Sequence, residues 1–380
     1  MSRRPTHSER DKGVPTQPYL ALRALFADAG YSFVDLPIVY PASVFVELAG
    51  EDLRRQLYLT SADGGEELAL RPDFTIPVTQ HHLASGAAKR KAGYAYIGPV
   101  FRVRPGESGE FMQAGVESFG RADRVAADAD MLKLAFATAA LFGVKKPAVR
   151  IGDSALFAAL LDALDLTPPW RERLARAFGD TPRLRKFIAS ANRQPPAPRS
   201  ELEDATLEEV KTAVAEKFAA TGLGEAGGRT ADEIAVRFIA KEELARGIPK
   251  RAASALTAFL KISGTPAKAL AALRTLAKDE KLALSGALDT FAKRNDAFAA
   301  HGIRLDGLTF DADFGRRLDY YTGFVFEFPS AANGPIIGGG RYDRMTALIP
   351  RSSRGTGSNV AVPAVGFAVW LDRIGKGGPK

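Results

Sequence analysis

Between Glu110 and Phe119 the chain reads Glu-Phe-Met-Gln-Ala-Gly-Val-Glu-Ser-Phe, which sets an amide, Gln113, and a carboxylate, Glu117, on either side of Gly115. Side chains alternate between faces along a strand. Phe111, Gln113, Gly115, Glu117 and Phe119 therefore share one face, and Met112, Ala114, Val116 and Ser118 the other. Polar groups taken out of water need partners. A polar ligand lying over the small Gly115 would supply them, and so would a face left wet. A second polar stretch, Arg316 to Glu327, reads Arg-Arg-Leu-Asp-Tyr-Tyr-Thr-Gly-Phe-Val-Phe-Glu. It is strand-like, and its front half is crowded with hydrogen-bonding groups, as suits a pocket. Behind Gly323, Phe324, Phe326 and Phe328 alternate with Val325 and Glu327, the period of a packed strand. A third stretch, Leu70-Arg71-Pro72-Asp73-Phe74-Thr75, sets a carboxylate after a proline that fixes the backbone. Alone, a Pro-Asp pair signals only a turn.

The elements that must carry these groups can be read from periodicity and breakers. A helix is expected over Tyr19 to Ala29, ended by Gly30, with strands over Leu68 to Leu70 and Ala95 to Val103. Tyr96 to Gly120 reads as a hairpin: an outgoing strand through Phe101-Arg102-Val103-Arg104, a turn over Pro105 to Gly109, and a return from Glu110. From about Thr167 to Leu284 helices follow one another between breakers at Gln194 to Pro198 and Gly222 to Gly228. Ser200 with Glu203 and Thr230 with Glu233 fit capping boxes, and Thr265-Pro266 fits an N-cap followed by proline. Leu207, Val210, Val214 and Phe218 form a stripe expected to be core. Strand-like sequence returns over Leu308 to Phe328 and Val365 to Val369. The expected organisation is an α+β core over 18–165 and 285–380, a helical insertion over 166–284 and a flexible arm over 1–17.

Length and composition narrow the function classes. With 380 residues, 46% hydrophobic and 25% charged, the chain is a globular protein with a substantial core, of two or three domains. Zero cysteines exclude disulfides and thiolate chemistry, and His7, His81, His82 and His301 leave little for a metal cage. No metal or cofactor is expected. The polar N-terminus has no apolar run after its basic residues, so a cytoplasmic protein without a membrane span is expected. The net charge of +8 is spread along the chain, with Lys89-Arg90-Lys91 the only tight run. Nucleic-acid binding does not follow from it.

All three polar stretches resemble motifs of histidyl-tRNA synthetases. Arg316 to Glu327 is similar to their histidine-binding signature, the Tyr96 to Gly120 hairpin to motif 2 of class II aminoacyl-tRNA synthetases, and Leu70 to Thr75 to their Leu-Arg-Pro-Glu-x-Thr element. The resemblance implies an antiparallel class II sheet flanked by helices. It implies that Asp73 and Thr75 hold a ligand's ammonium group, the aspartate being one methylene shorter than the family's glutamate. Arg102 would contact the carboxyl end and an α-phosphate, and Arg316 the carboxylate. Gln113 and Glu117 would hold the amino group and imidazole, in a pocket lined by Tyr320 and Tyr321. These charge-assisted contacts would together recognise free histidine.

The nucleotide side departs from the pattern. Where motif 2 carries a glutamate this chain has Arg104, and in Ala364 to Ile374, which resembles motif 3, Trp370 replaces a glycine and Asp372 a glutamate. An indole is expected to fill the space where adenine would lie close to bare backbone. Arg373 keeps the motif 3 arginine, Gly338 to Asp343 resembles the turn before that motif, and Arg317 stands where the family has glycine. The sequence runs only six residues past Ile374, so an anticodon-binding domain is not expected. This combination resembles the synthetase paralogues that serve as regulatory subunits of ATP phosphoribosyltransferase. That resemblance implies a non-catalytic chain that binds a short-form catalytic subunit and takes L-histidine as effector. It further implies self-association as a dimer through motif 1, around Gly30 to Pro37, within a hetero-oligomer. A truncated histidyl-tRNA synthetase is the alternative, against which Arg104 and Trp370 speak. A synthetase-like RNA-binding or kinase-associated module is a third. A ligand-free α+β domain would make Asp73, Gln113, Glu117, Arg316 and Tyr321 polar by coincidence.

Overall fold

The computed structural model describes residues 16–86, 90–190, 202, 205–221, 230–316, 320–330, 334–349 and 361–374. The first half runs α1 (Thr16–Asp28), β1 (Ser32–Phe33), β2 (Val39–Pro41), α2 (Ser43–Arg54), β3 (Leu59–Ser61), β4 (Glu67–Leu70), α3 (Thr75–Ala84), β5 (Ala92–Phe101), β6 (Glu110–Phe119), α4 (Arg124–Leu141), β7 (Val149–Asp153) and α5 (Ser154–Ala163). Then come α6 (Pro168–Arg176), α7 (Thr181–Ser190), α8 (Leu207–Thr221), α9 (Ala231–Ala245), α10 (Lys250–Phe259), β8 (Ser263–Gly264), α11 (Pro266–Asp279) and α12 (Ser285–Ala300). The chain closes with β9 (Leu308–Asp311), β10 (Phe324–Phe328), β11 (Ile337–Arg341), α13 (Met345–Leu348), β12 (Ala364–Trp370) and α14 (Leu371–Ile374).

A nine-stranded sheet in the order β1-β5-β6-β12-β11-β10-β7-β9-β8 forms the centre, and β2-β4-β3 form a small second sheet. The large sheet is antiparallel except where β1 meets β5 and β7 meets β9. Helices flank it, so the class is α+β. The alternation on β6 divides its side chains between two cores. Ala114 and Val116 join the aromatic face of β10 (Phe324, Phe326, Phe328) and the helices around α4 and α12. Phe111 and Phe119 join Phe74, Tyr96, Tyr320, Tyr342 and Trp370 on the other side. That second, tyrosine-rich core holds the polar cavity described below.

The helix starts follow their caps. Thr230 Oγ1 accepts from Glu233 N at 3.2 Å while Glu233 Oε2 accepts from Thr230 N at 3.1 Å, a complete capping box on α9. Thr265 precedes the N-terminal proline of α11 without a side-chain cap bond. The Ser200 capping box, both breaker runs, Lys89, Arg317, His7 and residues 1–15 of the leading arm lie outside the described residues. Residues 16 and 17 already belong to α1.

Three expectations are corrected. The outgoing strand of the hairpin ends at Phe101, not Arg104, because Arg102 and Val103 take backbone partners outside the ladder, Gly109 O and Gln56 O. Leu308 to Phe328 is two strands: β9 ends at Asp311, and β10 begins only at Phe324. Tyr320 and Tyr321 therefore stand in the approach to a strand. Of the stripe on α8, only Val210 is fully buried; Leu207, at 37% exposure, lies outside the core. The helix packs through one side on α9.

Candidate functional site

One cavity of about 30 Å³ is lined by Asp73, Thr75, Arg102, Gln113, Glu117, Arg316, Tyr320 and Tyr321, together with Gly338, Tyr342, Gly366, Phe367, Ala368 and Trp370. Its floor is β6, held between β5 and β12, with Gly115 paired to Tyr96 on one side and Ala368 on the other. Gly115 is required there: a Cβ would stand 2.6 Å from Tyr96 Cζ. Across the sheet, Gly366 pairs with Glu117, and a side chain at Gly366 would run into the Glu117 carboxyl. The glycines thus hollow out a space that Glu117 and Tyr96 share.

Glu117 is 1% exposed. Its Oε1 accepts from the Tyr96 hydroxyl at 3.3 Å and its Oε2 from the Tyr342 hydroxyl. Burial pushes its pKa up to about 8, although the hydroxyls of Tyr342, Thr75 and Tyr96 pull it back. The group is therefore mostly a neutral acid at pH 7, able to donate as well as accept. Burial also raises Tyr96, Tyr320, Tyr321 and Tyr342, so their hydroxyls keep their protons. Gln113 Oε1 accepts from Phe74 N at 3.3 Å, which fixes the amide.

The charged walls are incompletely paired. Asp73 is raised by burial and lowered by Arg102, whose Nη2 stands 3.5 Å from Asp73 Oδ2; that oxygen is buried without a hydrogen bond. Arg102 Nε donates to Pro72 O at 2.7 Å. Arg316 Nε and Nη1 are likewise buried and without a hydrogen-bond partner, and its guanidinium lies 5.8 Å from the Tyr321 ring and 5.7 Å from that of Trp370. Open donors on a cation, an open acceptor on a carboxylate and a neutral acid between tyrosines suit a small zwitterion with a polar ring. Tyr96 and Tyr342, which orient Glu117, escaped the sequence reading. Hairpin register could have found Tyr96, opposite Gly115. Tyr342 sits in Gly338 to Asp343, read only as a turn.

Outside Trp370 the arginines are engaged differently. Arg104 Nη1 pairs with Glu107 at 2.8 Å and with Asp372 at 3.3 Å, and its guanidinium lies 3.8 Å from the Phe111 ring centroid. Arg373 Nη2 reaches Glu107 at 3.4 Å. Trp370, 5% exposed, separates the cavity from a cleft of about 610 Å³ that these arginines line. The motif 2 and motif 3 charges are thus spent largely on each other. Behind the cavity, Asp128 is held by Arg341 at 2.6 Å and Arg294 at 3.1 Å, and Arg294 reaches Asp153 at 2.6 Å, all four residues being buried. This network anchors β11 and the start of α5 to α4 and α12.

Comparison with known proteins gives a consistent family. The profile described as histidyl-tRNA synthetase matches residues 17–374. A protein of Brucella ovis named ATP phosphoribosyltransferase regulatory subunit is 40% identical over 375 residues, covering 95% of this chain and 97% of the relative. Its Brucella abortus counterpart matches with the same identity and coverage. Among solved structures, an ATP phosphoribosyltransferase regulatory subunit/histidyl-tRNA synthetase from Bacillus halodurans aligns with a TM-score of 0.69 at 21% identity, over 100% of this chain and 82% of that one. The histidyl-tRNA synthetase of Nostoc gives 0.63 at 18% identity, over 98% and 75%. These structures show a shared class II synthetase-like fold.

Proposed function

The chain belongs to the histidyl-tRNA synthetase-like family of ATP phosphoribosyltransferase regulatory subunits and is a non-catalytic member, and on that premise we propose that it activates a short-form catalytic subunit and makes the complex sensitive to L-histidine. The observation that carries this reading is the contrast between two neighbouring sites. Around Glu117 the groups expected to hold histidine surround one cavity, with donors on Arg316 and an acceptor on Asp73 unused. Around Trp370, Arg104, which stands where motif 2 carries a glutamate, pairs with Glu107 and Asp372, and Arg373, which keeps the motif 3 arginine, pairs with Glu107.

In this reading Arg316 and Arg102 take the histidine carboxylate, Asp73, Thr75 and Gln113 the ammonium group, and Glu117 with Tyr320 and Tyr321 the imidazole. Histidine acts by binding more tightly to the inhibited state of the complex, and it shifts the population by no more than that difference in affinity. The class II core carries with it a dimer of this chain around Gly30 to Pro37, inside a cytoplasmic hetero-oligomer. Among the described residues no helix is long and apolar enough to cross a membrane.

The test is reconstitution. Phosphoribosyl-ATP formation by the short catalytic subunit is measured with and without this chain across an L-histidine titration. A large gain in rate that histidine reverses is the expected result. No complex and no change in rate would overturn the proposal, and histidine-dependent ATP–pyrophosphate exchange would then revive the synthetase alternative.

A further inference from the structure

Asp313, Phe314 and Gly315 lead directly into Arg316 and form one wall of a cleft of about 590 Å³, which Gly179 of the turn between α6 and α7 and Thr181 at the start of α7 also line. This strap is gripped from both sides. On the sheet side, Arg150 Nη2 donates to Asp313 Oδ1 at 3.2 Å and the guanidinium lies 4.6 Å from the Phe314 ring. A side chain at Gly152 on β7 would run into the Phe314 carbonyl. On the helical side, Thr181 Oγ1 donates to Asp313 Oδ2 at 3.1 Å. Gly179 has φ +87°, and a Cβ there would stand 2.6 Å from Gly315 O; a Cβ on Gly315 would stand 2.7 Å from Phe178 Cδ1. Phe178 in turn stacks on Phe157 of α5 at 4.5 Å. Such close-packed contacts leave no slack, and displacement of one side is felt by the other.

The far end of the strap is a wall of the cavity. At about 30 Å³ the cavity has room for about two waters, so an amino acid enters only if a wall yields. The floor cannot yield cheaply, because β6 is laddered along its whole length to β5 and along most of it to β12. Arg316, outside any strand and with buried donors to satisfy, is the wall with hydrogen bonds to gain by moving.

We propose that the strap Asp313 to Arg316 couples occupancy of the cavity to the position of α7 and the helices that follow it. Resting on the histidine reading above, this names the route by which that ligand is felt outside its own pocket. A carboxylate that draws Arg316 toward it pulls Gly315 and Asp313 along the α6–α7 turn. By linkage, whatever fixes α7 sets the affinity of the cavity.

The test combines calorimetry and hydrogen exchange on the full chain, with L-histidine as the probe. Histidine is expected to slow exchange over 177–190 as well as around 313–316 in the wild type. Thr181→Val, which removes only the hydroxyl bond to Asp313, and Gly179→Ala are expected to weaken histidine binding about fivefold or more, as linked sites do, and to blunt the α7 response. Histidine binding with unchanged exchange over 177–190 and wild-type affinity in Thr181→Val would overturn the coupling while leaving the pocket assignment intact. Absence of any histidine binding by the wild type would remove the assignment itself, and the coupling with it. If Gly179→Ala does not fold, wild-type exchange and Thr181→Val decide the matter.

Discussion

Replacing Glu117 with Gln keeps the shape of the side chain and removes its titration. In the native protein burial holds this carboxyl at about 8 instead of 4.5. At about 1.4 kcal/mol per pH unit, that difference corresponds to an ionisation penalty of about 5 kcal/mol. The unfolded chain releases the proton near 4.5, whereas the native protein keeps it until about 8. Across that window the native state binds more protons than the unfolded state, so stability falls as pH rises. Below the window both states are protonated and above it both are ionised, so the dependence flattens at either end. Urea unfolding followed through Trp370, which is 5% exposed and lines the cavity, gives the free energies of both proteins. The wild-type value minus that of Glu117→Gln is expected to fall by about 1.4 kcal/mol per pH unit between about pH 5 and about pH 8, then level off. At the acid end Gln costs about 1 kcal/mol, because Tyr96 and Tyr342 lose one of two acceptor oxygens. A difference that stays flat from about pH 5 to about pH 9 would refute the argument, since the carboxyl would then titrate alike in both states.

Arg294→Met leaves Asp128 and Asp153 short of a buried counter-charge; it is expected to cost about 3–5 kcal/mol in urea unfolding, and a loss below about 1 kcal/mol would mean that Arg341 alone satisfies the network. Gly115→Ala forces a methyl against Tyr96 and is expected to cost about 1–3 kcal/mol. By contrast Gly286→Ala, on α12 with nothing within 4 Å of the added Cβ, gains about 0.4–1 kcal/mol; thermal melts of the pair check the contrast. Thr230→Ala breaks the capping box of α9, with an expected cost of about 1 kcal/mol and faster amide exchange confined to the first turn of that helix. Under the histidine reading, Glu117→Gln also weakens L-histidine binding about fivefold, the worth of one neutral hydrogen bond, as calorimetry would register.

What depends on near neighbours along the chain was legible in the sequence. The alternation from Phe111 to Phe119 and from Phe324 to Phe328 gave the faces of β6 and β10, because a strand's period is a local property. The Thr230 box gave the start of α9 for the same reason. The types of the cavity residues, Asp73, Gln113, Glu117 and Arg316, could be read individually, and their resemblance to a motif set suggested that they meet. Local signals misled where tertiary contacts decide: Leu207 has the right spacing for a core stripe, but it stays 37% exposed while Val210 of the same stripe is buried. Only the folded chain brings Tyr342 to Glu117 across 225 residues, Arg341 to Asp128 across 213 and Arg104 to Asp372 across 268. The chemistry turns on these meetings. Glu117 is an ordinary carboxylate in the sequence and a neutral acid in the protein, because burial is contributed by segments far apart in the chain and removes the water that would stabilise its charge.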